Sequence, residues 1–174
     1  LERRGIITSQ QGKGRFLREI PISQLGEDKQ EEMSKNLERY SLYEAYEVRQ
    51  VLETKAMDLI VRNATDSDLD EIETAYQTML LRFAETNTTT GEFELHQLYA
   101  KKTGSVFMEQ TLNIVLSTIL EMMHTTSHNV MDMHQVEEEK ADHRRIIDAL
   151  HKRDSSAAQQ AMYDHIQHTL DILQ

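Results

Sequence analysis

The chain of 174 residues carries a net charge of −11, has no cysteine or tryptophan, and contains only one proline and six glycines. The absence of cysteine excludes disulfides, thiolate metal sites and cysteine nucleophiles, and the scarcity of turn residues argues against an all-β protein. The longest apolar run, TLNIVLSTILEMM, is too short and too polar to span a bilayer. We therefore expect a soluble helical domain of ordinary size with no membrane contact, and the absence of cysteine fits a reducing compartment such as the cytoplasm.

The N-terminal segment differs in charge from the rest of the chain. Residues 1–18 have a net charge of +4, which leaves −15 for the remainder. Three of the six glycines lie in this segment, and the only proline, Pro21, follows it. This shift in composition predicts a boundary near residues 19–28, with a small basic piece before an acidic helical domain.

The acidic part has the periodicity of helices and shows no strong alternation of the kind found in strands. In residues 42–64, apolar side chains recur at three- and four-residue intervals, the pattern of an amphipathic helix. Further helices are predicted at 68–86 (capped by Thr65 or Ser67), 91–103 (ended by Gly104), 106–128, 135–152 and 155–172. The helix at 106–128 is the most apolar and is expected at the centre. With a short helix at 28–40, this predicts an all-α antiparallel bundle of six to seven helices.

Two histidines lie at equal distances from the polar, helix-breaking stretch between the last two predicted helices. His143 and His165 are each eleven residues from Asp154, so they would face each other if the chain folds back there. His96 follows Glu92 by about one helical turn, and these two side chains therefore share a helix face. Three histidines and a carboxylate inside a bundle would suit zinc, nickel, cobalt or manganese, with positions left for water or a ligand.

A simpler interpretation of these histidines stays open. The chain has eight histidines, and any two of them can look symmetric by chance. The other five are expected at the surface or at the rim of a pocket: His124, His128, His134, His151 and His168.

The stretch DHRRIIDALHKRDSSAAQQAMYDHI resembles the closing signature of the FCD effector domain, found in the FadR-like subgroup of GntR-family transcription regulators. Two more segments agree with that family in order and spacing: LYEAYEVRQVLE resembles its first effector-domain helix, and EFELHQLYAKKTGS resembles its acidic-x-x-Phe-His segment. The resemblance extends over nearly the whole chain.

The first residues, LERRGIITSQQGKGRFL, resemble the end of a winged helix-turn-helix domain, with GKGRF at the tip of the wing hairpin. Lys13 and Arg15 would then lie along a phosphate backbone, where they position the protein without reading bases. If the resemblance is set aside, the same residues are typical of an ordinary basic loop. The expected organisation is a wing remnant at 1–20 whose recognition helix lies upstream, a linker at 21–40, and the FCD domain at 41–174.

The resemblance implies four metal ligands: Glu92, His96, His143 and His165. The family's carboxylate is usually aspartate, so the extra methylene of Glu92 would change the choice of metal or the way the carboxylate binds it. Leu95 stands where the family has phenylalanine, a change expected to cost little. Arg49 would contact the carboxylate of an effector; the alternative for Arg49 is an ion pair with Glu53, one helical turn away.

The implied function is that of a metabolite-responsive transcription regulator and not of an enzyme. It would hold a divalent metal (zinc, nickel or manganese), bind a small carboxylate, act as a homodimer and contact operator DNA through an N-terminal domain that is mostly absent. A metal-dependent helical-bundle enzyme is one alternative, but only Glu121 with His124 has the Glu-x-x-His spacing of a di-iron bundle, and one copy is insufficient. A metal-free helical module that binds ligands or proteins is the other.

Overall fold

The computed structural model describes the backbone at residues 7–10, 14–17, 27–86, 90–126 and 133–173, and side chains at 40–85, 91–123 and 137–173. The chain divides into two compact units, residues 1–37 and residues 38–174. Within the described residues, no helix is long and apolar enough to cross a membrane.

The first unit contains a two-stranded antiparallel hairpin. Strand β1 (Ile7–Gln10) pairs with strand β2 (Gly14–Leu17) in a register that sets Ser9 opposite Arg15. This backbone pattern is the one predicted for the tip of a wing. Lys13 lies outside the described residues, as does the side chain of Arg15, so their contact with DNA and the domain boundaries near residues 20 and 40 stay predictions.

In the part of the chain that the structure describes, six helices follow the hairpin and form the predicted all-α bundle. Their bounds are α1 Glu27–Asn63, α2 Asp66–Thr86, α3 Thr90–Lys102, α4 Val106–Thr126, α5 Met133–His151 and α6 Ser155–Leu173. The short helix expected at 28–40 is not separate, because α1 continues through it. Residues 27–63 contain neither glycine nor proline, so nothing in the local sequence ends the helix before Asn63.

Five of these helices pack pairwise: α5 against α6, α2 against α3 and α5, and α3 against α4. Buried side chains of α1, such as Met57 and Ile60, complete the core. The expectation that α4 is central is wrong. One face of α4 is buried through Leu112, Leu116 and Ile119, whereas Phe107 and Ile114 on its other side are exposed. High average apolarity therefore does not place this helix inside; the stripe that it buries is no wider than that of an ordinary amphipathic helix.

The helix ends follow recognisable capping chemistry. Thr65 is the N-cap of α2: its hydroxyl accepts a hydrogen bond from the Asp68 N–H at 3.2 Å, and the Asp68 carboxylate accepts one from the Thr65 N–H at 2.8 Å. Gly104 follows α3 with a φ of 69°, a left-handed conformation that glycine adopts without a steric cost. These two caps confirm the predicted end of α3 and the predicted start of α2.

The turn between α5 and α6 fixes the antiparallel hairpin on which two of the predicted metal ligands lie. Arg153 has a φ of 55°, and the N–H groups of Arg153 and Asp154 donate to the carbonyls of Leu150 and Ala149, which is a Schellman ending. The Asp154 carboxylate then accepts a hydrogen bond from the Ala157 N–H at 3.0 Å and so caps α6. The chain reverses within residues 152–154.

A side-chain role explains why arginine occupies a position that favours glycine. The Arg153 guanidinium donates to the carbonyls of Ala64 at 2.6 Å and Val61 at 3.3 Å, which lie at the end of α1, and to the Asp66 carboxylate at 2.7 Å. It therefore satisfies carbonyl groups that α1 leaves without partners and ties the α5–α6 turn to the junction of α1 and α2.

Substitution of Arg153 separates the cost of its left-handed backbone conformation from the contribution of its side-chain hydrogen bonds. Arg153→Met keeps the left-handed strain and loses the charge-assisted hydrogen bonds, so we expect a loss of about 1–3 kcal/mol in the free energy of unfolding. Arg153→Gly loses the same bonds but relieves strain of about 1 kcal/mol, so its loss should be smaller. Urea unfolding measures both, with Lys152→Met as the control on an exposed neighbour. A methionine variant as stable as the glycine variant would contradict this account of the turn.

Candidate metal centre

Four predicted ligands from three helices converge in the core of the bundle. Helix α3 supplies Glu92 and His96, α5 supplies His143, and α6 supplies His165. All four side chains are buried, and each offers one ligand atom within 4.8 Å of those of the other three. The His143 and His165 rings are 4.5 Å apart between centroids, so the placement of the two histidines about the turn brings them together as expected.

The separations of the ligand atoms suit a shared metal ion. Two atoms that each bind one metal at about 2.1 Å lie about 3.0–4.2 Å apart, depending on the angle between them. His165 Nε2 is 3.2 Å from His96 Nε2 and 3.8 Å from Glu92 Oε1, and His96 Nε2 is 3.5 Å from the same oxygen. His143 Nε2 is buried and has no hydrogen-bond partner among the described residues. The residues present therefore fit a divalent cation.

Neighbouring groups orient two of the rings from behind. His96 Nδ1 forms a hydrogen bond with the Glu53 carboxylate, which leaves Nε2 of that ring for the metal. The Tyr99 hydroxyl lies 3.5 Å from His143 Nδ1. A carboxylate or a comparable polar partner on the far nitrogen is the usual arrangement around a metal-binding histidine, because it fixes the tautomer and the orientation of the ring.

Burial keeps two of the imidazoles neutral, which is the form that binds a metal. It lowers the pKa of both His96 and His143 well below the ordinary value, and the positive charge of Arg49 acts in the same direction. His165 behaves differently: burial opposes its charge, but the nearby Glu139 and Asp142 carboxylates outweigh that effect and raise its pKa. A proton therefore competes with the metal mainly at His165.

Arg49 forms the expected ion pair with Glu53 and also lies beside the candidate metal ligands. Its guanidinium is buried, donates from Nε to Glu53 Oε1 at 2.6 Å, and donates from Nη2 to Glu92 Oε1 at 3.2 Å. The rings of Tyr46 and Phe93 lie 5.2 and 5.4 Å from the guanidinium carbon. Arg49 is thus paired with Glu53 and also lies next to the candidate metal site, with Glu92 shared between the two.

Sequence reasoning missed two acidic neighbours of the site, Glu139 and Asp142. Glu139 Oε2 lies 3.7 Å from His143 Nε2 and 3.5 Å from His165 Nδ1, and Asp142 Oδ2 lies 3.8 Å from the latter atom. The spacing of Glu139 and His143 repeats that of Glu92 and His96, so the same signal could have found Glu139. No spacing within one helix relates Asp142 to His165, because Asp142 lies on α5 and His165 on α6.

The site contains more carboxylates than cations. Among the described side chains, Glu53, Glu92 and Glu139 surround the ligand atoms, whereas Arg49 is the buried cation there. Burial raises the pKa of Glu53, and it raises that of Glu139 to about 8, with Glu92 and Asp142 adding to the latter shift. A divalent cation would stabilise the ionised forms of these groups.

The other histidines do not join the site in the described structure. His151 and His168 are exposed, and His168 Nδ1 lies 2.8 Å from Asp142 Oδ2. The side chains of His124, His128 and His134 lie outside the described residues.

Comparison with known proteins agrees with this architecture. The HTH-type transcriptional regulator LutR of Bacillus subtilis (strain 168) is 24% identical over 178 aligned residues, which cover 99% of this chain and 80% of LutR. The Streptococcus agalactiae GntR structure matches with a TM-score of 0.66 at 19% identity, covering 98% of this chain and 77% of its own. The E. coli McbR/YncC structure matches with a TM-score of 0.63 at 14% identity, covering 99% and 78%.

These structural matches confirm the predicted fold, and LutR is a transcriptional regulator, the class of protein expected for this chain. The family model of the FCD domain matches residues 44–168, most of the chain. The chain therefore belongs to the FCD-domain family of GntR-type transcription regulators.

Proposed function

We propose that this chain is a metabolite-responsive regulator whose FCD domain binds one divalent metal and one small carboxylate effector. The observation that carries the proposal is the convergence of three imidazoles and a carboxylate, Glu92, His96, His143 and His165, in a buried site. Such a ligand set suits zinc, nickel or manganese. When bound, the cation supplies positive charge and open coordination positions.

The metal ligands and their polar neighbours support this assignment together. His96 forms a hydrogen bond with Glu53, and Glu92 accepts one from Arg49. Both ligands that α3 supplies are therefore oriented by side chains of α1. If His143 served only to fill the core, its Nε2 atom would destabilise the fold, because this atom is buried and has no hydrogen-bond partner in the described structure. Unsatisfied polar atoms of this kind are costly and call for a ligand or a functional explanation.

Arg49 supports a carboxylate effector in preference to a neutral one. A guanidinium has five N–H donors, and the hydrogen bonds to Glu53 and Glu92 use two of them. The remaining donors suit a carboxylate oxygen beside the metal. The Tyr46 and Phe93 rings at the guanidinium restrict the space there, which favours a small acid such as a hydroxy acid, a sugar acid or a dicarboxylate over a long acyl chain.

Control of operator binding would then be allosteric. Effector binding in the bundle changes how two subunits of a homodimer present their DNA-binding domains, since operators with twofold symmetry match a twofold protein. Lys13 and Arg15 would contribute backbone contacts from the wing. A regulator that binds operator DNA would act in the cytoplasm.

Metal binding should stabilise the bundle. A ligand that binds only the folded state at a hundredfold excess over Kd adds about 2.7 kcal/mol, which raises the melting temperature by about 5–10 °C for a chain of this size. Because the ligand histidines must be neutral, the effect should weaken as the pH falls through the pKa of His165, which lies above its ordinary value. His96 and His143, whose pKa values are lowered, stay neutral to lower pH. Differential scanning calorimetry with zinc, nickel or manganese, and with a chelator, measures it.

His143→Ala and His165→Ala should abolish the metal-dependent rise, whereas His151→Ala, a control on an exposed histidine of the same helix α5, should keep it. Identical melting curves with metal and with chelator for the unaltered chain would refute the metal site.

Effector binding should require both the metal and Arg49. Calorimetric titration of small hydroxy acids and dicarboxylates should give binding to the metal-loaded chain, little binding to the metal-free chain, and binding weakened about tenfold or more in Arg49→Lys, because a lysine loses the two-pronged contact. Circular dichroism checks that the variant is folded. Equal binding in all three proteins, or a preference for neutral sugars, would mean that the metal is purely structural.

A further inference from the structure

Glu139 is a buried carboxylate that the four-ligand description of the site leaves without a role. It lies on α5, about one helical turn before His143, and its side chain is only 9% exposed. Its Oε2 atom is buried and has no hydrogen-bond partner among the described residues. Two imidazole nitrogens lie near this oxygen: His165 Nδ1 at 3.5 Å and His143 Nε2 at 3.7 Å.

A buried carboxylate oxygen without a hydrogen-bond donor is unfavourable, because it has lost its contacts with water. The imidazole nitrogens beside Glu139 Oε2, at 3.5 and 3.7 Å, are too far away for good hydrogen bonds to replace those contacts. Arg49 lies in the same site, but its described hydrogen bonds go to Glu53 and Glu92. His143 Nε2 is also buried without a partner in the described residues. Three unsatisfied atoms therefore lie close together in the described structure: Glu139 Oε2, His143 Nε2 and His165 Nδ1. A cation between the first two would satisfy both.

We propose that Glu139 is a fifth protein ligand of the metal, binding through Oε2; this inference rests on the proposed function. The separation of 3.7 Å between Glu139 Oε2 and His143 Nε2 falls within the range of about 3.0–4.2 Å expected for two atoms on one metal. Glu139 is not one of the four residues whose ligand atoms all lie within 4.8 Å of one another, so its carboxylate would have to turn toward the cation when a metal binds.

The fifth ligand changes what an effector can do at the site. Four protein ligands leave two positions on a six-coordinate metal, whereas five leave one. An effector would then place a single oxygen on the metal, or it would have to displace Glu139 to bind with two. Three imidazoles and two carboxylates also favour a metal that accepts six ligands, such as manganese, over zinc, which prefers four.

Glu139 has one competing role, as an acceptor that positions His165 through its Nδ1 atom. A positioning residue would lower metal affinity when it is removed, but the number of water molecules on the metal would not change. A ligand that is removed leaves a position that water fills. The proton relaxation rate of solvent water, enhanced by bound Mn²⁺, reports the water on the metal and so separates the two roles.

The test compares the unaltered full chain with Glu139→Gln and with Glu137→Gln, a control on the same helix that removes one exposed carboxylate. Calorimetry gives the Mn²⁺ affinity of each protein. In Glu139→Gln the affinity should fall at least about tenfold, and the relaxation enhancement per bound Mn²⁺ should rise about twofold as a second water joins a six-coordinate ion. Glu137→Gln should match the unaltered chain in both measurements.

Glu139→Ala, which cannot bind the metal through an amide oxygen, should show the same two changes, and circular dichroism confirms that each variant is folded. Lower affinity with an unchanged relaxation enhancement would overturn the inference and make Glu139 a positioning residue. Affinity and relaxation equal to those of Glu137→Gln would also overturn it, while the metal site itself would stand. Absence of Mn²⁺, zinc and nickel binding by the unaltered chain would refute the proposed function instead.

Discussion

The burial of the Arg49 guanidinium is the constraint on which the interior of this domain depends. A buried charge is tolerated only when it is paired and hydrogen-bonded, and Arg49 meets this requirement through Glu53 on its own helix and Glu92 on α3. Glu53 in turn binds the far nitrogen of His96. One network of charges therefore connects α1 to α3 and orients two of the four candidate ligands, so that the site and the fold are stabilised by the same contacts.

The other two ligands depend on a different device, the tight turn between α5 and α6. Its geometry places His143 and His165 side by side, and the Arg153 side chain ties it to the end of α1. The site is thus assembled from two substructures, one held by buried ion pairs and one by backbone capping. Such a division is compatible with the proposed sensing of a ligand, which would contact both substructures if it bound beside the metal ligands.

Much of this arrangement could be predicted from local patterns. Helices α2 to α6 begin within two residues of the predicted positions, since capping residues such as Thr65 and left-handed residues such as Gly104 act over short distances. The spacing of Glu92 and His96, and that of the two histidines about Asp154, depends only on helix periodicity and on the presence of a turn. The single long helix α1 differs from the expected short helix at 28–40 followed by a helix at 42–64, because no helix-breaking residue separates the two segments.

What the sequence could not supply is the set of contacts between helices. The hydrogen bond of Glu53 with His96 and the position of Asp142 beside His165 depend on how separate helices pack. The most direct test of the account is a crystal structure of the metal-loaded chain with anomalous scattering at the absorption edge of the metal. The account predicts one peak per chain, about 2.0–2.2 Å from a ligand atom of each of Glu92, His96, His143 and His165. A peak elsewhere, or none in a crystal grown with a saturating metal, would contradict it.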